Sequence, residues 1–266
     1  MSRLRSDRPR QHPGWSPILL ALGILVASAT TGTTAPLGPM PGEALTYDVR
    51  WTGIPSGESV MEALKPSPGR YQFRISLKSS GLIDVFYPIN DLLESEGHWR
   101  DGVPESESYV KKQREGNKDR LTEYRFERDK NLAIRTFNTN EITPIEDLPV
   151  GTNDPVTVLF ALRFSPQLVP QTPMTLPVLG GREWQVTPLE VSSVQTEKVP
   201  AGQFEVFSVT LNLGLFNKKM DQEHGTTTIW FTNDERRIPI KVWSKLKVGD
   251  MEFSLKGIKS GSGTWP

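Results

Sequence analysis

The sequence predicts a mostly β protein: one large antiparallel sheet that curls or forms an open barrel, with one or two short helices. Three observations carry this. Apolar residues recur mainly at every second position, which marks strands with one dry and one wet face. Turn-forming residues separate these stretches at short intervals, and short turns join antiparallel neighbours. Only two segments, 81–88 and 154–164, break the alternation.

Taken in order, Leu45, Tyr47 and Val49 alternate with Thr46 and Asp48. Tyr71, Phe73, Ile75 and Leu77 alternate with Gln72, Arg74 and Ser76. Phe204 and Val206 begin a third such run, which slips near Ser208 and continues through Val209, Leu211 and Leu213. Ile238, Ile240 and Val242, then Leu246 and Val248, close the series. Turns are marked by Ser67-Pro68-Gly69, Asp101-Gly102, Asp129-Lys130-Asn131, Gly180-Gly181, Pro200-Ala201-Gly202, Asn233-Asp234 and Gly249-Asp250. About ten to thirteen strands are expected on this spacing.

The two exceptions differ in kind. Asp154 is a good helix N-cap and Pro155 a good first helical residue. Val158, Leu159, Ala161 and Leu162 then fall on one stripe at helical spacing. This predicts a helix over Asp154 to Phe164. Gly81 to Pro88 carries Leu82, Ile83, Val85, Phe86 and Tyr87 with neither period, and is expected to hold at most a turn of helix. It either plugs the core or forms a lid over an apolar cavity.

The N-terminus has the order of an export signal. Arg3, Arg5, Arg8 and Arg10 precede the apolar run Ile18 to Val26, and Ala27-Ser28-Ala29 offers small residues at a cleavage site. The run is about half the ~20 residues that span a bilayer. A cleavable signal over 1–29 is therefore expected, with the mature chain in the periplasm. A flexible lead-in follows over 30–42, then a single β domain over 43–257 and a flexible tail over 258–266. The signal holds four Arg and one Asp, so removing it from 31 bases and 31 acids leaves three more acids than bases. A mildly acidic, mixed surface argues against a nucleic-acid partner. With no cysteine, the chain has no disulfide, thiolate nucleophile or cysteine metal site. The exported fold must rest on its core, which about 235 residues can supply.

Four stretches carry a family resemblance. They are Gly42-Glu43-Ala44-Leu45-Thr46-Tyr47-Asp48-Val49-Arg50-Trp51 with Gly53 and Gly57; Ser80-Gly81-Leu82 through Tyr87-Pro88; Asp154-Pro155 to Arg163; and Thr228-Ile229-Trp230-Phe231-Thr232-Asn233-Asp234-Glu235-Arg236-Arg237-Ile238-Pro239 running on to Gly249. Together they resemble the uncharacterised periplasmic family catalogued as domain of unknown function 3108. The resemblance implies an envelope location and a shape similar to the open β-barrels of lipoprotein carriers. It implies no catalytic residues, since the family has no agreed activity.

The residues themselves offer little chemistry. Of three histidines, His12 leaves with the signal, and His98 and His224 have no second histidine at metal-ligand spacing. No metal or cofactor is expected. No nucleophile elbow, phosphate loop or dinucleotide fingerprint is present. Asp91, Glu94 and Glu96 could supply a glycosidase-like acid pair. Arg236 and Arg237 could contact an anion or a lipid headgroup, although neighbours on a strand face opposite ways. The leading expectation is a non-enzymatic envelope protein that binds an apolar or lipid-like ligand. Its candidate ligand residues are Leu82, Ile83, Val85, Phe86, Tyr87, Leu159, Leu162, Arg236 and Arg237. One alternative is a structural or assembly factor that docks on another envelope protein through the 82–87 segment. The other is a carbohydrate-active enzyme using the acids at 91–96.

Overall fold

The computed structural model of the protein describes residues 39–64, 68–166, 168–170, 173–213 and 225–262. The expected signal and most of the lead-in lie outside the described residues, as does His224. The strands are β1 (Glu43–Trp51), β2 (Ile54–Leu64) and β3 (Arg70–Ser79), followed by the helix α1 (Gly81–Phe86). The chain continues through β4 (Ile89–Arg100), β5 (Val103–Glu115), β6 (Lys118–Glu127), β7 (Leu132–Phe137) and β8 (Glu141–Ile145). Helix α2 (Pro155–Ala161) extends through a 3-10 turn to Phe164. Then come β9 (Met174–Leu179), β10 (Trp184–Val191), β11 (Gln195–Val199), β12 (Gly202–Asn212), β13 (Thr226–Thr232), β14 (Pro239–Lys245) and β15 (Asp250–Lys259).

All fifteen strands belong to one antiparallel sheet. Its order runs β8 to β1 in reverse, then β15, β14, β13, β12, β10 and β9, with β11 on the flank of β12. The first and last strands of the domain pair along their length, Leu45 with Ile258 and Trp51 with Met251. The ladder is not closed, because β8 and β9 do not pair. The chain between β8 and α2 spans that gap instead. The Glu146 carbonyl accepts from Trp184 Nε1 at 3.2 Å, and Leu179 N donates to the Asn153 carbonyl at 3.0 Å. The result is an open barrel with a strap across its seam. The strands that the alternation missed include β8 and β11, whose side chains are mostly exposed and so show no dry face.

Burial follows the alternation. Leu45, Tyr47 and Val49 of β1 and Tyr71, Phe73, Ile75 and Leu77 of β3 all face the interior, none more than 5% exposed. Because opposite residues in an antiparallel ladder share a face, the register stacks the interior in rungs. One rung is Ser59, Leu77, Asp91, Gln113 and Arg120. The next is Met61, Ile75, Leu93, Lys111 and Thr122. Beyond it lies Ala63, Phe73, Ser95, Tyr109, Tyr124 and Arg135.

Helix α2 stoppers this interior. Its residues from Pro155 to Phe160 are all buried, and Phe160 stacks on Phe73 with centroids 4.2 Å apart. Asp154 caps it as expected: Oδ1 accepts from Val156 N at 2.9 Å and Thr157 N at 3.0 Å. Oδ2 accepts from Ser95, Ser106 and Thr157 hydroxyls at 2.5, 2.7 and 2.8 Å. The cap is thus also the bolt that fixes α2 to β4 and β5. Pro155 lies against Gly180, where a Cβ would come within 2.5 Å of the proline ring.

The ends of the domain differ slightly from expectation. Strand β15 runs two residues past Gly257, to Lys259. The end of the lead-in is tied down, with Gly42 N donating to the Ala63 carbonyl and Ser262 N to that of Pro41.

Candidate ligand-binding site

At the end of the barrel opposite α2 the interior is not filled. A cavity of ≈480 Å³ opens there, within the usual range for small-molecule sites. Its walls are Val49, Trp51, Leu77 and Met251 from the sheet and Leu246, Lys247 and Val248 from the β14–β15 turn. Ile83, Phe86 and Tyr87 form its cover, and Asp91 and Glu115 its polar side.

The cover is α1. Its start is held by Ser80 N donating to the Ser56 carbonyl, and Ser79 Oγ donates to Asp84 Oδ1 at 2.5 Å. Pro88 disfavours helical geometry at Tyr87 and ends it there. The Tyr87 ring lies over Gly116 in the β5–β6 turn, where φ is +59° and a Cβ would stand 3.0 Å from the ring. No residue of α1 is buried. Leu82 is 70% exposed, Val85 75% and Phe86 81%. A six-residue helix has little stability of its own, and this one draws almost none from burial. Such an element opens at low free-energy cost. The plug reading of 82–87 is therefore set aside: Ile83, Phe86 and Tyr87 border the cavity, whereas Leu82 and Val85 do not line it. Val248, 68% exposed, continues the apolar lining out to the surface.

Other candidates lie elsewhere. Leu159 and Leu162 are 1% and 3% exposed, inside the packing of α2, and do not line the cavity. Arg236 and Arg237 sit in the β13–β14 turn, also apart from it. Arg236 donates to Glu43 Oε2 at 3.0 Å. Arg237 donates to the Ser165 carbonyl and lies over the Phe207 ring at 5.5 Å. Glu43 is also bound by Arg163, Nη1 to Oε1 at 2.5 Å, with both side chains 1% exposed. The arginine pair thus fastens the end of α2 and the β13–β14 turn to β1. Sequence spacing could not reveal this, since Glu43 and Arg236 are 193 positions apart.

The acids after residue 90 divide between two faces. Asp91 is 3% exposed and faces the interior. Glu94 is outside, bound by Arg74 at 2.8 Å, and Glu96 accepts from Gln72 at 2.9 Å. The pleat sets Asp91 on the opposite face from both, so the two acids that share a face are Glu94 and Glu96, on the outside and away from the cavity. His98 lies between Glu105 and Glu107, 3.0 Å from each. No group of three or more metal-ligating residues occurs among the described residues.

On the β4–β5 wall beside the cavity, two charges are perturbed by burial. Asp91 is pushed up to about 6, first by desolvation and then by Glu115. Gln113 Nε2 bridges the two carboxylates at 3.3 Å from each, and Arg120 neutralises Glu115 at 2.6 Å. Lys111 is brought down to about 8, again first by desolvation.

An unclosed antiparallel barrel with a strapped seam, a helical stopper at one end and a lidded apolar cavity at the other defines a β-barrel-like protein class. The model of the family described as protein of unknown function (DUF3108) matches residues 46–256, and the chain belongs to that family. No curated protein matches the sequence. Among solved structures, the chain is similar to a β-barrel-like protein of domain of unknown function DUF1849 from Brucella abortus. The match has 14% identity and a TM-score of 0.56, covering 85% of this chain and 100% of that one. That likeness concerns the fold.

Proposed function

We propose that this protein is a non-enzymatic binder of an apolar or amphipathic small molecule, lipid-like in size and character, held in the cavity under α1. The reading rests on one observation: a ≈480 Å³ apolar cavity whose cover exposes its own apolar side chains. A folded chain gains about 25 cal/mol for each Å² of apolar surface it buries. Leaving Phe86 and Val248, 81% and 68% exposed, unburied forgoes that gain, and a ligand would recover part of it. An exported chain working in the cell envelope is part of the same proposal, resting on the basic, apolar and small-residue order of positions 1–29.

The test is mass spectrometry of organic extracts from protein purified from its native source. It is paired with titration of the delipidated protein by N-phenyl-1-naphthylamine, a neutral probe that fluoresces in apolar sites. A stoichiometric lipid in the extract and saturable probe binding support the proposal. No extractable lipid together with no probe binding overturns it. The exposed face of α1 equally suits a docking contact with another envelope protein. That reading gains if Phe86→Ala abolishes capture of one defined envelope partner while probe binding is unchanged.

A further inference from the structure

The interior has two unlike walls. From β12 through β15 and β1 to β3 it is mostly apolar, with Leu45, Val209, Ile229, Val242 and Phe253 each no more than 2% exposed and Glu43 its one buried charge among the described residues. From β4 to β7 the same rungs carry Asp91, Lys111, Gln113, Arg120, Tyr109 and Arg135. The cavity reaches the Asp91 rung. Lys111 stands one rung deeper, opposite Leu93 and Thr122, between the cavity floor and the Ser95–Asp154 bolt of α2.

Several donors here lack acceptors. Lys111 is 5% exposed and has no hydrogen bond or ion pair among the described residues. The Tyr109 hydroxyl, one rung below it on the same strand, is buried without a partner, and so is Arg135 Nε. Buried donors without acceptors are costly, and native folds rarely keep several together unless a further group satisfies them. The nearby carboxylates are otherwise engaged. Glu115 is held by Arg120. Asp91 accepts from Gln113 and Arg114 N, and no cation lies in ion-pair contact with it among the described residues. Glu141 is half-exposed at the sheet edge, shared between Arg135 Nη1 at 3.4 Å and Arg182 at 3.6 Å. Arg120 and Arg135 both bear on Lys111 electrostatically, as do Asp91 and Glu115 with the opposite sign. Lys111, Arg120 and Arg135 thus stand among the carboxylates Asp91, Glu115 and Asp154, of which Asp154 is filled by the α2 cap and three hydroxyls, while the Tyr109 hydroxyl and Arg135 Nε remain without acceptors.

Resting on the cavity reading above, we propose that the inner end of the site seats an oxyanion head group, a carboxylate or a phosphate, on Lys111 with Tyr109 and Arg135 beside it. The ligand is then an anionic amphiphile, its chain lying against Leu77, Met251 and Phe86 and leaving under α1. A charged head within reach of a buried ammonium makes a charge-assisted hydrogen bond, stronger than the bond a neutral head can form.

The test is competition on the purified, delipidated protein, with N-phenyl-1-naphthylamine as the reporter. The competitors are dodecanoate, dodecyl phosphate, dodecanol and dodecylamine, each below its micellar concentration. At least one of the two anions is expected to displace the probe at least about tenfold more tightly than the alcohol and the amine; which of the two is tighter identifies the head. Lys111→Met is expected to remove that preference, so that neither anion competes more tightly than dodecanol. Lys111→Gln serves in its place if the first variant does not fold. Equal competition by dodecanol and the anions overturns the proposal. So does tighter binding of dodecylamine, which would assign the head to Asp91 and Glu115. Failure of the probe to bind at all is a different outcome: it removes the cavity reading itself.

Discussion

Replacing Asp154 with alanine isolates the bolt between α2 and the sheet. A solvent-exposed N-cap is worth about 1 kcal/mol. Here the same carboxylate also accepts three buried hydroxyls, from Ser95, Ser106 and Thr157, on its second oxygen. Tyr71 extends the chain through Thr157 Oγ1 at 2.9 Å. Alanine strands two helix N–H groups and these hydroxyls in a fully buried site, and hydrogen bonds to charged groups contribute about 1.5–3 kcal/mol each. Against this stands the cost of burying the charge, which pushes the Asp154 pKa up, and part of that cost is recovered on substitution. The net loss is expected at about 3–5 kcal/mol. Asp154→Asn is expected to lose less, since its carbonyl oxygen can still cap while its NH2 group cannot accept. The assay is urea unfolding at neutral pH followed by tryptophan fluorescence, with the m-value checked for constancy. A loss near 1 kcal/mol for alanine would refute the bolt and leave only the cap.

Three further outcomes follow from the same geometry. Phe86→Ala is expected to change stability of the delipidated protein by no more than about 0.5 kcal/mol, as for an exposed site, rather than the roughly 3–5 kcal/mol of a core phenylalanine; urea unfolding distinguishes the two. Glu43→Gln leaves the Arg163 guanidinium buried without its counter-ion and is expected to cost about 3–5 kcal/mol in the same assay. Asp91 has a folded pKa raised to about 6 from 3.8, so its contribution is intact below about pH 4 and is lost as pH rises through 6. Relative to Asp91→Asn, the wild type is expected to lose about 3 kcal/mol between those limits, and a stability difference that stays flat over pH 4–7 refutes the assignment.

The strands were legible where one face is dry. Leu45 to Val49 and Tyr71 to Leu77 announce their burial by period alone, and the same residues form the core. The α2 start was legible because capping is local: Asp154 and Pro155 act on N–H groups within three residues. Strands β8 and β11 escaped notice because neither presents a continuous dry face. The site was half legible. The lack of period in 81–88 marked it as exceptional, yet plug and lid have the same composition, and only the 81% exposure of Phe86 separates them. Leu159, Leu162, Arg236 and Arg237 looked available for a ligand because nothing local betrays partners such as Glu43 or Ser165.

What the sequence by itself determined, then, is whatever depends on neighbours a few residues away: strand periodicity, turn positions, the cap of α2 and the mostly antiparallel class. What only the tertiary structure decided is how distant strands meet. The β1–β15 pairing joins the two ends of the domain. The rung order places Lys111 behind Asp91, and the Glu146–Asn153 strap bridges the open seam. Each is a contact between residues far apart in the chain. Side-chain period tells which face a residue takes, but not which strand lies beside it.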